Sequence, residues 1–219
     1  MSEVSTEISS ELFRYIAAHT LPEDEFLRQL KEAAAAAGIP AIWIAPEQAS
    51  FMGILLRLTR ARDVIEVGTL AGYSAIAMAR GLPADGVVRT IEIEPKHADF
   101  AERWIARSDV AGRVKVIRGA GLDVLRTFAA DSADAAFVDA DKPNYVRYLD
   151  ECLRIVRPGG LIMADNALAF GQVLDPRATD REVPAVRAFN EHIAKVPGLE
   201  SVIVPLGDGL WVAVKRAAR

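Results

Sequence analysis

The amino-acid sequence predicts an α/β fold: a doubly wound, mostly parallel sheet with extra helices at its N-terminal side. Three observations predict it. From residue 63 onward, short β-rich runs alternate with helical patterns, which argues for strand–helix–strand crossovers and helices on both faces of a sheet. The first β-run stops at a turn holding Gly68 and Gly72, which lets a strand pass tightly into a helix. The last two β-runs are joined only through Gly207-Asp208-Gly209, too few residues for a crossover, so they pair antiparallel.

The elements follow in order. Residues 11–19 and 23–37 carry apolar side chains at helical spacing, with Pro22 suited to a first helical turn and Gly38 to a stop. Pro46 opens a third helix through Phe51, Leu55 and Leu58. Strands are expected at 63–67, 87–93, 114–118, 135–139 and 160–165, with helices at 74–80, 95–108, 122–130 and 145–156 between them. A helix at 182–194 and strands at 199–205 and 210–214 complete the pattern. Without internal repeats or low-complexity linkers, residues 1–219 are expected to form one domain: N-terminal helices over 1–60, a binding and catalytic core over 61–219.

Composition excludes several classes. The 26 basic and 30 acidic side chains are scattered and leave a net charge of −4, which argues against a nucleic-acid partner or a polybasic membrane surface. Cys152 is alone and cannot form an internal disulfide, so a reducing compartment fits; beside Leu149 and Leu153 it is expected in the core rather than as a reactive thiol. The Met1-Ser2-Glu3 start, with Glu7 and Glu11, lacks a basic region followed by an apolar run. No apolar stretch is long enough to span a bilayer. A cytoplasmic protein is expected.

Ligands of open α/β sheets bind beyond the carboxyl ends of the strands, so those ends carry the chemistry. The first ends in Glu66-Val67-Gly68-Thr69 and continues to Gly72-Tyr73-Ser74, without the third glycine of a dinucleotide turn. The second ends at Glu92, where a carboxylate can accept hydrogen bonds from both hydroxyls of a ribose; the alternative is a solvated strand-end charge. Glu66 would sit badly against a pyrophosphate but suits an ammonium group, directly or through water. Together these features fit S-adenosylmethionine better than NAD. The fourth strand ends in Asp139-Ala140-Asp141-Lys142 and the fifth in Asp165-Asn166. Asp139, Asp165 and Asn166 would supply hard oxygen ligands for Mg²⁺, Ca²⁺ or Mn²⁺; the alternative is separate helix-capping residues. Lys142 would reach over that cation, where nearby positive charge favours the neutral amine a general base needs; the alternative is a plain surface lysine. His19, His97 and His192 show no metal-ligand spacing and are read as surface or packing residues.

These segments, with Gly207-Asp208-Gly209-Leu210, resemble the cation-dependent O-methyltransferases, the caffeoyl-coenzyme A and catechol O-methyltransferase group in its small bacterial form. The resemblance runs from about Pro46 to the C-terminus. It implies a seven-stranded, Rossmann-like methyltransferase sheet with a reversed last strand, and a homodimer. It implies that Asp139, Asp165 and Asn166 bind the cation, most readily Mg²⁺, and that Lys142 helps deprotonate the acceptor. For S-adenosylmethionine it points to Ile44, Glu66, Gly68, Thr69, Ser74, Glu92 and Ala120, with Asp139 close by. The chain departs from the family at Ile42-Trp43, Ala49-Ser50 and Ala169-Phe170, all expected at the acceptor's position.

The expected reaction is in-line methyl transfer to a hydroxyl of a catechol-like acceptor. Three rivals use the same residues differently. One is a metal-independent methyltransferase with structural Asp139 and Asp165. Another is a nucleoside-dependent oxidoreductase. The third is a non-enzymatic binding module, since a fold does not dictate function.

Overall fold

The computed structural model describes residues 6–217, so the Met1-Ser2-Glu3 start lies outside the described residues. Three helices come first: α1 (Ser10–His19), α2 (Glu25–Ala36) and α3 (Pro46–Leu58). Alternation then begins: β1 (Asp63–Val67), α4 (Tyr73–Gly81), β2 (Val87–Glu92), α5 (Pro95–Ile105), β3 (Val114–Arg118), α6 (Gly121–Leu125) and β4 (Ala133–Val138). It continues through α7 (Tyr145–Ile155), β5 (Val156–Ala164), α8 (Val183–Ile193), β6 (Leu199–Val204) and β7 (Leu210–Lys215).

Most boundaries agree with the sequence pattern, and three differ for physical reasons. Pro22 does not open α2: the Asp24 side chain caps it, accepting from Leu27 N at 2.8 Å. The helix expected over 122–130 ends at Leu125. Arg154 takes the Leu125 and Phe128 carbonyls at 3.0 and 2.7 Å, satisfying the end that further turns would have covered. The fifth strand begins at Val156 rather than residue 160, with a register shift against β4 between Ala133 and Ala135. Gly160 allows that irregular start, because a Cβ there would lie 2.6 Å from the Asp134 carbonyl oxygen.

The strands form one sheet in the order β3-β2-β1-β4-β5-β7-β6. The first five are parallel, and β7 runs antiparallel to both β5 and β6. Side chains alternate across the sheet. Val64, Phe137 and Met163 pack with α2 to α5 on one face; Ile65, Val67, Val138 and Ile162 pack with α6 to α8 on the other. Burying each such side chain contributes roughly 1.5–3 kcal/mol. This is the seven-stranded sheet with a reversed last strand that the resemblance implied. Among the described residues no helix is long and apolar enough to cross a membrane.

Candidate active site

Winding reverses between β1 and β4, and a cavity of about 1360 Å³ opens above the carboxyl ends of those strands and their neighbours. Pockets for one drug-sized ligand typically measure about 300–1,000 Å³, so this cavity is larger than one small ligand usually needs. Gly68, at the end of β1, is where the two halves meet. Its φ is +101°, and a Cβ there would lie 1.9 Å from the Asp139 carbonyl oxygen. No side chain fits that approach.

One end of the cavity is held mainly by backbone. Glu92 is buried; its Oε2 accepts from Leu70 N at 2.8 Å and its Oε1 from Glu94 N at 2.9 Å. The carboxylate is thus oriented and keeps lone pairs for a ligand in the cavity it lines. Thr69 is also buried, its hydroxyl 2.6 Å from that of Thr90. Ile44, Gly68, Thr69, Ser74, Glu92, Ala120 and Asp139 all line the cavity. Glu66 does not. It is fully buried on the α4 side of the sheet, accepts from the Ser74 hydroxyl through Oε1, and has no hydrogen-bond partner for Oε2. Burial pushes its pKa up to about 8. Glu66 is linked to the cavity through Ser74, which lines it.

The other end gathers charge. Asp165 is buried, and its Oδ1 has no hydrogen-bond partner. Burial and then the Asp139 charge push its pKa up. Lys142 Nζ donates to Asp139 Oδ1 at 3.2 Å, Asn166 Oδ1 at 2.6 Å and Tyr145 Oη at 2.6 Å. Its side chain is only 11% exposed, so it is no plain surface lysine. Among the described residues no three His, Cys, Asp or Glu side chains are placed together so as to hold a metal ion by themselves. The donor set here is two carboxylates and a carboxamide. It suits a hard divalent cation: two of its oxygens already face one positive charge, and a third, buried, lacks any partner.

Apolar side chains complete the lining. Ile42, Trp43, Leu168, Ala169 and Phe170 line the cavity, with Phe170 78% exposed. Ala49-Ser50 was expected there too, but neither residue lines it; the neighbouring Gln48 does, buried beside Gly207. The sequence reading missed Tyr145 and Asp208. It saw Asp208 only within a glycine-flanked turn, and nothing near Tyr145 marked it. His97, read as incidental, lines the cavity with Nδ1 3.9 Å from Glu92 Oε1. Cys152 is buried and burial pushes its thiol up to about 12, in keeping with a core residue.

The seven-stranded sheet of this order, with its reversed last strand, is shared with solved O-methyltransferases, and the comparisons give the family. The sequence profile described as O-methyltransferase matches residues 16–216, and the chain belongs to that family. It is 38% identical over 200 residues to a catechol O-methyltransferase of Niastella koreensis, covering 88% of this chain and 90% of that one. The Bacillus cereus O-methyltransferase, solved in complex with SAH, is 35% identical with a TM-score of 0.85, covering 94% and 97% of the two chains. TomG from Streptomyces achromogenes, involved in tomaymycin synthesis and solved with SAM, is 32% identical with a TM-score of 0.83, covering 94% and 96%.

Proposed function

We propose that this O-methyltransferase uses S-adenosylmethionine and a divalent cation to methylate a hydroxyl of a small aromatic acceptor bearing vicinal hydroxyls, as in a catechol. One observation carries the reading. Oxygens of Asp139 and Asn166 converge on one positive charge next to the unpartnered, buried Asp165 Oδ1, in the same cavity as the oriented Glu92. The SAH and SAM complexes of the relatives support the cofactor, and the catechol O-methyltransferase name supports the acceptor class. In this reading residues 1–219 work as one domain, within a cytoplasmic homodimer.

Asp139, Asp165 and Asn166 would hold the cation, Mg²⁺ by preference. Bound there, the cation would orient the vicinal hydroxyls and favour the ionised form of one, while S-adenosylmethionine would supply the methyl group. Glu92 accepts from the ribose hydroxyls. Ile44, Thr69, Ser74 and Ala120 line the cofactor's bed, Gly68 leaves it room, and Glu66 answers the cofactor's ammonium through Ser74 or water. Lys142, in its neutral amine form, takes the acceptor's proton at Nζ and becomes the ammonium. Trp43 and Phe170 cover the acceptor ring and exclude water. Fixed alignment of the reacting groups and opposite charges supply most of the rate.

A metal-independent enzyme is the second reading, favoured by the Lys142 ammonium, which already faces Asp139 and Asn166. Turnover of a catechol with S-adenosylmethionine, with and without a chelator, separates the two. Loss of activity in chelator, restored by Mg²⁺, is the expected result; full activity in chelator removes the cation.

A further inference from the structure

A carboxamide has two ends of similar shape, and only its oxygen can face a cation. At Asn166 the choice is made by Asp208. Asn166 Nδ2 donates to Asp208 Oδ2 at 3.1 Å, which leaves Asn166 Oδ1 turned toward Lys142 Nζ at 2.6 Å. The other oxygen of the same carboxylate, Oδ1, accepts from the Phe170 backbone N–H at 2.6 Å. One side chain thus grips a cation-facing amide and the segment covering the acceptor.

That segment needs a grip. Asn166, Ala169 and Phe170 have φ of +62°, +47° and +51°, a region that L-residues visit at a cost. The turn carrying Asp208 is shaped to reach it. Gly207 passes so close to Gln48 that a Cβ would lie 2.3 Å from its Oε1, and one on Gly209 would lie 2.6 Å from Leu168 Cγ. Backbone bonds complete the seam: Ala167 N donates to Gly209 O at 2.9 Å and Leu168 N to Asp208 O at 3.0 Å.

We infer that Asp208 is a positioning residue: it fixes the Asn166 amide oxygen toward the cation and, through Phe170, couples cation binding to the shape of the acceptor cavity. This rests on the cation reading above. Both oxygens must accept, so an isosteric amide cannot replace the carboxylate. In Asp208→Asn, either the Phe170 N–H or Asn166 Nδ2 loses its partner. An Asn166 amide that turns over to pair with the new NH₂ then presents its own NH₂ to the cation.

The test is calorimetric titration of Mn²⁺ into wild type, Asp208→Asn and Asn166→Ala. Titration of S-adenosylhomocysteine in chelator and amide hydrogen exchange over residues 166–174 accompany it. Asp208→Asn is expected to weaken Mn²⁺ binding about 10–100-fold, the usual cost of losing a residue that orients a metal ligand. Its S-adenosylhomocysteine affinity should stay at the wild-type level, and Mn²⁺ should slow exchange at Phe170 in wild type only. Wild-type Mn²⁺ affinity in Asp208→Asn overturns the inference. So does an equal loss of Mn²⁺ and S-adenosylhomocysteine binding, which marks a general structural role. An Asn166→Ala protein that binds Mn²⁺ as wild type does, or a wild type that binds none, removes the cation reading itself and this inference with it.

Discussion

The two ends of the cavity are built differently. At the end near β1 and β2, backbone does the holding: Gly68 fits against the Asp139 carbonyl, and Glu92 is pinned by two backbone N–H groups. At the end near β4 and β5, side chains hold one another. Lys142 reaches three partners, Asp208 reaches two, and Phe170 stands exposed on a left-handed backbone. The close approach at Gly68 is set by backbone alone, and the N–H donors that orient Glu92 belong to the turns beside the sheet. Side-chain bonds are replaceable one at a time. Among the departures from the family pattern, Phe170 belongs to the side-chain-held end, where Asp208 grips its N–H, while Ile42 and Trp43 line the cavity elsewhere along its wall.

Lys142 gives the largest expected effect that would break this division. Lys142→Ala should lower turnover by roughly 10²–10⁴-fold, the range for loss of a general base, while S-adenosylhomocysteine affinity stays unchanged. The loss should shrink at high pH, where solution removes the acceptor's proton. Lys142→Arg should not rescue, because a guanidinium stays protonated. Turnover against pH for the three proteins is the measurement. An arginine variant as fast as wild type near neutral pH would mean that the position needs only charge.

Glu92 comes next. Glu92→Ala should weaken S-adenosylmethionine binding by about 1–3 kcal/mol, the scale of a lost pair of charge-assisted hydrogen bonds. The acceptor's KM should not move. Calorimetry and initial rates read the two quantities; a change confined to KM would reverse the assignment of the two ends.

Glu66 gives the smallest effect and the sharpest sign. Burial raises its pKa from 4.5 to about 8, so a protonated carboxyl is the expected form in the free folded protein near pH 7. Binding an ammonium group nearby should release part of that proton, up to one per cofactor, detected by calorimetry in buffers of different ionisation heat. The same shift makes a stability contribution that is fully present below pH 4.5 and is lost as pH rises through about 8. Glu66→Gln should flatten that decline in thermal melts and abolish the proton release. Release that persists in Glu66→Gln assigns the proton elsewhere.

Legibility followed the same division. The alternation of strands and helices is written in local pattern, so all seven strands were visible within a few residues. Ile44 and Ala120 rested on the family resemblance, whereas Glu66, Gly68, Thr69, Ser74 and Glu92 sit at strand ends or in one glycine turn, where topology gives their neighbours. Asp139, Asp165 and Asn166 were readable for that reason too. The grips were not. Arg154, which ends α6, lies 29 residues from the carbonyl of Leu125 that it takes, and Asp208 lies 42 residues from Asn166. Such pairs have no local signature. Tyr145 reads as an ordinary helix residue until folding brings its hydroxyl to Lys142. The seclusion of Glu66 was hidden because strand alternation gives its side of the sheet but not how α4 closes over it.

The place of β7 carries a consequence for how the molecule is made. Leu210–Lys215 follows every other described strand in the chain, yet it lies between β5 and β6. During synthesis β6 emerges first and has no strand to pair with, while β5 waits with one edge uncovered. Unpaired edges are templates for joining other chains. The nascent protein is most exposed to such errors just before its last strand appears, and a chain cut short before residue 210 keeps both open edges for good. The same insertion brings the turn with Asp208 beside the end of β5, so the Asn166 grip forms only when the sheet is finished.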